Sequence, residues 1–143
     1  MRRVLLVEDE DKVRQLFAKW IRSADVGVIE AVSVKTALMH LDVIDLSAIF
    51  LDLRLPNGHG REVIKELIMK RDDVPVVVLS AVPEDVPLLF PVVKIMKKPA
   101  NQGMILAGLE EAFKYSDAIN SIKVSTRKSE ERQTSIMMRG KRG

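Results

Sequence analysis

Short apolar runs alternate along the chain with stretches in which apolar residues recur every three to four positions. Val4-Leu5-Leu6-Val7 opens the series. Val13, Leu16, Phe17, Trp20, Ile21 and Ala24 then follow the spacing of one helical stripe and leave Lys12, Lys19 and Arg22 for solvent. A strand over Val26–Ala31 is predicted next, and Ser33 stands where an N-cap belongs, ahead of a helix with Val34, Ala37, Leu38 and Leu41 on its inner face. Leu46–Leu51 is apolar on both faces, which predicts a central strand. The turn chemistry of Leu55-Pro56-Asn57-Gly58-His59-Gly60 marks a loop, and Val63, Ile64, Leu67 and Ile68 mark a third helix. Val74–Leu79 and Val92–Met96 are the last two predicted strands.

Between them Pro83, Pro87 and Pro91 recur every four residues. Proline inside a helix removes a hydrogen bond and clashes with the preceding turn, at roughly 3 kcal/mol. A short or irregular fourth helix is therefore expected, at most a turn around Glu84–Phe90 with Pro83 at its first position. The last helix places Ile105, Gly108, Leu109, Ala112 and Phe113 on one face, and Tyr115, Ala118, Ile119 and Ile122 prolong the spacing. Strands alternating with helices predict an α/β fold: a doubly wound five-stranded parallel sheet in the flavodoxin-like order 2-1-3-4-5, with its sites at the carboxyl ends of the strands.

At 143 residues, 47% hydrophobic and 30% charged, the chain suits one compact domain, read here as residues 1–116. Residues 117–143 form a basic C-terminal extension that reads as a tail or linker. They hold 7 Lys/Arg against 3 Asp/Glu, whereas residues 1–116 hold 16 against 17. The absence of cysteine excludes disulfides and thiolate metal sites, and His40 and His59 cannot make a zinc site alone. No apolar stretch has the length of a membrane span, and Met1-Arg2-Arg3-Val4 runs straight into a strand, so a cytoplasmic protein with no membrane contact is expected.

The candidate chemistry lies where the apolar runs stop. Glu8 and Asp9 follow the first, Asp52 the third, Ser80 the fourth and Lys98 the fifth. Two acidic sites, a hydroxyl and an ammonium at one sheet edge fit a carboxylate that accepts a phosphoryl group beside a divalent metal, with Asp52 as the nucleophile. Taken singly, each residue has a plainer role. Glu8, Asp9, Glu10 and Asp11 could complement a helix dipole, Asp52 could end a strand, and Ser80 could cap a helix. Asp52 and Lys98 together favour the site.

These pieces occur in a familiar order: Val4-Leu5-Leu6-Val7-Glu8-Asp9-Glu10, Leu51-Asp52-Leu53-Arg54-Leu55-Pro56-Asn57-Gly58-His59-Gly60, Val77-Val78-Leu79-Ser80-Ala81 and Lys98-Pro99. Through residue 116 the chain resembles the receiver domain of bacterial two-component response regulators (CheY-like). The resemblance implies that Asp52 takes phosphate from a sensor histidine kinase or phosphotransfer protein. It also implies that Asp9, Asp52 and the backbone carbonyl of Arg54 bind Mg²⁺, with Glu8 holding the metal through a water. Ser80 and Lys98 would contact the phosphoryl group. Such a protein is a signalling phosphoacceptor with self-phosphorylation and self-dephosphorylation chemistry, acting on a downstream protein partner.

Three departures bear on output. Ile95 stands where the family carries an aromatic three residues before the lysine, the interval from Ser80 to Lys98 is short, and Asp25 replaces a frequent glycine. The first two argue against carrying over the family's usual dimer, and a homodimer stays open. They also motivate an alternative, a pseudo-receiver acting as a constitutive scaffold. Another is the receiver part of a DNA-binding regulator lacking its output domain. The basic extension could attract nucleic acid, but it lacks stacking aromatics, and a solvated tail is the preferred reading.

Overall fold

The five predicted strands form one parallel sheet, apolar and covered on both faces at its centre and partly exposed along its two edge strands. The computed structural model describes residues 1–42, 45–70, 72–82 and 88–140. Its elements run β1 (Arg3–Val7), α1 (Asp11–Arg22), β2 (Gly27–Ala31), α2 (Val34–Leu41), β3 (Ala48–Asp52), β4 (Arg54–Leu55), β5 (Gly58–His59), α3 (Arg61–Met69), β6 (Val76–Ser80), β7 (Val92–Lys97) and α4 (Gln102–Gly140). The large sheet has the order β2-β1-β3-β6-β7, all pairs parallel, which is the doubly wound order read from the sequence.

Alternation along each strand sorts the core into two layers. Val4, Leu6, Phe50, Val77 and Leu79 face α1 and α4, whereas Leu5, Val7, Ile49, Leu51 and Val78 face α2 and α3. The central β3 and β6 are buried at every residue. Ser33 caps α2 with a reciprocal box: its Oγ accepts from the Thr36 amide at 3.2 Å, and Thr36 Oγ1 accepts from the Ser33 amide at 3.1 Å. The expected loop after β3 is a small hairpin in which Arg54 pairs with His59 and Leu55 with Gly58. Asn57 turns it in the left-handed region, at φ 59°. Asp25 takes φ 61° before β2, which accounts for the usual glycine there.

Several expectations shift. On α1 the buried residues are Phe17, Ala18 and Ile21; Leu16 is exposed and Ala24 lies past the helix end, so the covered face is centred on Ala18. On α3 Val63 and Leu67 are buried while Ile68 is exposed beside Leu89 and Phe90. Most of the turn expected around Glu84–Phe90, with Pro83, lies outside the described residues, and Leu88–Phe90 are not helical.

The largest difference concerns the extension, which reads as a tail yet is helical to Gly140. Its polar composition says only that no core is buried there. No glycine or proline interrupts residues 109–139, so nothing stops the helix. At 39 residues it extends for about 58 Å. Its first half packs through Ile105, Leu109 and Ala112, and Ser116 Oγ donates to the Ser47 carbonyl at 2.7 Å. Arg2 pairs with Asp117 at 3.0 Å and lies over the Phe113 ring.

Candidate functional site

The strand ends bring the candidate residues together. Glu8 and Asp9 follow β1, Asp52 closes β3, Ser80 closes β6, and Lys98 follows β7. Parallel register levels them, with Asp52 opposite Leu79 and Ser80 opposite Lys97. The Lys98 amide donates to the Ser80 carbonyl at 2.8 Å, which ties the last two arms of the site. Lys98–Pro99 is a cis peptide bond.

Glu8, Asp52 and Ser80 are buried, and Asp9 is exposed at the mouth. Carboxylate oxygens of Glu8, Asp9 and Asp52 lie within 4.8 Å of one another. Lys98 Nζ hydrogen-bonds both Glu8 Oε1 and Asp52 Oδ2, the latter at 3.0 Å. Lys97, one residue earlier, is exposed. The Arg54 amide donates to Asp52 Oδ1 at 3.2 Å, while Ser80 Oγ donates to the Val82 carbonyl. His59 is used locally, its Nδ1 accepting from the Arg61 amide at 3.1 Å.

Burial pushes the Glu8 carboxyl up to about 8, the neighbouring Asp52 adds to the rise, and Lys98 pulls against it. Burial also opposes the charge on Lys98, but hydrogen bonds to Glu8 and Asp52 outweigh it and raise the ammonium's pKa. Glu8 Oε2 is buried with no hydrogen-bond partner among the described residues. An acceptor without a donor, beside two more carboxylates, is an arrangement a cation relieves. The residues present therefore fit an oxygen-liganded divalent metal.

Two contributors escape a reading by motif. Arg14 clamps the turn after β1, donating to the Glu8 carbonyl at 3.1 Å, to Asp11 at 2.7 Å and to Glu30 at 3.2 Å. Its sequence signal is the acid three residues earlier on the same helix. Gly60 approaches the nucleophile strand so closely that an added Cβ would lie 2.6 Å from the Asp52 carbonyl oxygen and 2.9 Å from Leu53 Cα. Its amide donates to the Leu53 carbonyl at 2.7 Å. Only the turn residues around it hint at this contact.

The family model of the response regulator receiver domain matches residues 4–110. The chain belongs to that family. The receiver is 36% identical over 85 residues to the KDP operon transcriptional regulatory protein KdpE of Escherichia coli K12, covering 59% of this chain and 37% of the relative. It is 32% identical over 82 residues to response regulator RR06 of Streptococcus pneumoniae, covering 57% and 37%. The matches thus span little more than a third of these relatives. Among solved structures, a CheY-like receiver domain protein from Methanospirillum hungatei superposes with a TM-score of 0.76 at 16% identity, covering 82% of this chain and 98% of the other. The regulator TrrA of Thermotoga maritima, in complex with Mg²⁺-BeF, gives 0.71 at 22% identity, covering 78% and 99%. At these identities the superpositions speak for the fold. Among the described residues no helix is long and apolar enough to cross a membrane.

Proposed function

We propose that this receiver accepts a phosphoryl group on Asp52 from the phosphohistidine of a sensor histidine kinase or phosphotransfer protein and signals through phosphorylation-dependent binding of a protein partner. The observation that carries the reading is the juxtaposition of Glu8, Asp9 and Asp52 with the Lys98 ammonium at one sheet edge. An Asp52 carboxylate oxygen attacks phosphorus, the P–N bond to the donor imidazole breaks, and that nitrogen leaves with the bonding pair. Asp9, Asp52 and the Arg54 carbonyl would hold Mg²⁺, with Glu8 oriented toward it by the turn that Arg14 clamps. Bound Mg²⁺ supplies positive charge that offsets repulsion between the acidic cluster and the incoming phosphate.

The chain's own groups do the rest. The Arg54 amide fixes one Asp52 oxygen. Lys98 exchanges its carboxylate contacts for the phosphoryl oxygens, and Ser80 turns its hydroxyl from the Val82 carbonyl toward the same group. The reading implies a cytoplasmic receiver over residues 1–116, with 117–143 as an extension. Ile95, exposed on β7 where the family's aromatic stands, favours a second reading in which the chain is a constitutive scaffold. The name of the Escherichia coli relative, a transcriptional regulatory protein of which the match covers 37%, also suits the alternative of a receiver that belongs to a DNA-binding regulator.

Incubation with acetyl phosphate, with and without Mg²⁺, followed by intact-mass measurement tests the proposal. We expect a metal-dependent gain of one phosphoryl group that Asp52→Ala abolishes. Phosphate retained by Asp52→Ala would refute the acceptor assignment. No gain, from acetyl phosphate or a matched kinase, would favour the scaffold.

A further inference from the structure

The helical state of the basic extension changes what its charges can do, because it arranges them by face. Arg127, Lys128, Arg132 and Arg139 are exposed, and among the described residues none of the four forms an ion pair or a side-chain hydrogen bond. On a regular helix Lys128, Arg132 and Arg139 fall within an arc of about 40° and span about 16 Å of the axis. Ser121, Ser125 and Ser135 share that side, so hydroxyl donors stand beside the cations. Glu130 lies on the opposite side and Glu131 on the flank. Among the described residues the side-chain ties to the body end at Lys123, which pairs with Asp73 at 2.9 Å. Arg139 stands about 24 Å beyond that tie. The stripe therefore serves neither the sheet edge nor the packing of α4.

We propose that this stripe is a docking surface for the phosphate backbone of duplex DNA. A basic stripe along one helix is the electrostatic footprint of nucleic-acid binding. A helix with its side chains is about 10–12 Å across, and the major groove, about 12 Å wide, admits it. Three aligned cations then meet phosphates that recur about every 3.4 Å along each strand, and the serine hydroxyls donate to their oxygens. These contacts read no bases, so binding is independent of sequence. The body adds no competing attraction, since residues 1–116 hold 16 Lys/Arg against 17 Asp/Glu. The extension has no aromatic residue, which favours a duplex over a single strand, whose bases need stacking partners. A bilayer is the poorer fit, because Thr126, Ser129 and Gln133 interrupt the face turned away from the stripe, which would have to enter it.

Fluorescence anisotropy of a labelled duplex of random sequence, titrated with the full chain at several salt concentrations, tests the proposal. We expect binding that weakens as salt rises. Lys128→Gln, Arg132→Gln and Arg139→Gln combined should weaken it at least about tenfold at low salt and make the slope of log affinity against log salt shallower by about 3, one phosphate per cation. Ser135→Lys adds a fourth cation to the arc and should steepen the slope by about 1, which loss of structure cannot mimic. Lys19→Gln, Lys35→Gln and Lys65→Gln combined remove the same charge from exposed positions on the body and should leave the affinity unchanged. No binding at low salt, or a stripe variant that binds as tightly as wild type, would overturn the proposal. An equal loss in the body variant would overturn it too, since net charge alone would then be at work. Tighter binding to a single strand of the same length, to phosphatidylglycerol vesicles or to polyglutamate would overturn the assignment to a duplex.

Discussion

The carboxyl edge of the sheet and the outer half of α4 are held by opposite means. At the edge, charges distant in sequence are buried together, with Lys98 facing Glu8 and Asp52 across ninety and forty-six positions. Along residues 124–139 every side chain is exposed, and the helix rests on local backbone bonds. The edge exists only because four strands deliver it, whereas the extension exists because nothing interrupts it. Changes at the edge should therefore reach chemistry and global stability together, and changes in the extension should reach neither.

Lys98→Ala should have the largest effect. It removes the ammonium facing two buried carboxylates, and breaking such a pair from one side costs about 3 kcal/mol. Urea unfolding at pH 8 should register that loss, with a smaller one at pH 5, where a proton on the raised Glu8 carboxyl replaces part of the missing cation. Phosphoryl uptake from acetyl phosphate should fall by about two orders of magnitude. Uptake at the wild-type rate would detach Lys98 from the chemistry. Within α4 the comparison sharpens further. Leu109 is 3% exposed in the packed half, so Leu109→Ala should cost about 2–4 kcal/mol, while alanine at Val124 should change stability by less than about 0.5 kcal/mol.

The same contrast decides what the sequence reveals. The sheet was legible because each strand is a short apolar run, buried at every residue in the central β3 and β6, and its order followed from the alternation of strand and helix. The residues of the edge were legible because each stands where an apolar run stops. Their mutual arrangement was not, since the Lys98 contacts and the unpartnered Glu8 oxygen arise only when β1, β3 and β7 are aligned. Gly60 escaped because close approach leaves no trace in composition, and Arg14 because its three acceptors come from α1, β2 and the turn after β1. The helical state of the extension is not legible in its composition, because polarity reports burial rather than conformation. Leu16 and Ile68 likewise satisfy helical spacing without being covered, since period alone cannot say how wide a face the sheet conceals.

The proton balance of the edge gives a third expectation. The Glu8 carboxyl is raised from 4.5 in the unfolded chain to about 8 in the fold. A raised folded-state value means that its contribution to stability is complete below pH 4.5 and is lost as pH rises toward 8. Glu8→Gln keeps the neutral shape at every pH. In metal-free buffer the variant should match wild type near pH 4.5 and become more stable by an amount on the order of 1–3 kcal/mol at pH 8. Denaturation at the two pH values measures the difference. A constant difference would mean that Lys98 holds Glu8 ionised throughout.

Truncation after Lys123 should have the smallest effect on the receiver and is the most direct attempt to break the comparison. The cut retains Ile105, Leu109, Ala112, the Ser116 bond to Ser47 and the Lys123 pair with Asp73. It removes residues whose side chains, from 124 to 139, are all exposed. The helical signal of the lost segment should disappear from the far-ultraviolet spectrum, while the unfolding midpoint shifts by less than the equivalent of about 0.5 kcal/mol and phosphoryl uptake keeps its rate. A drop independent of concentration would mean that the outer helix supports its own receiver, and the contrast between a packed half and a free half would fail.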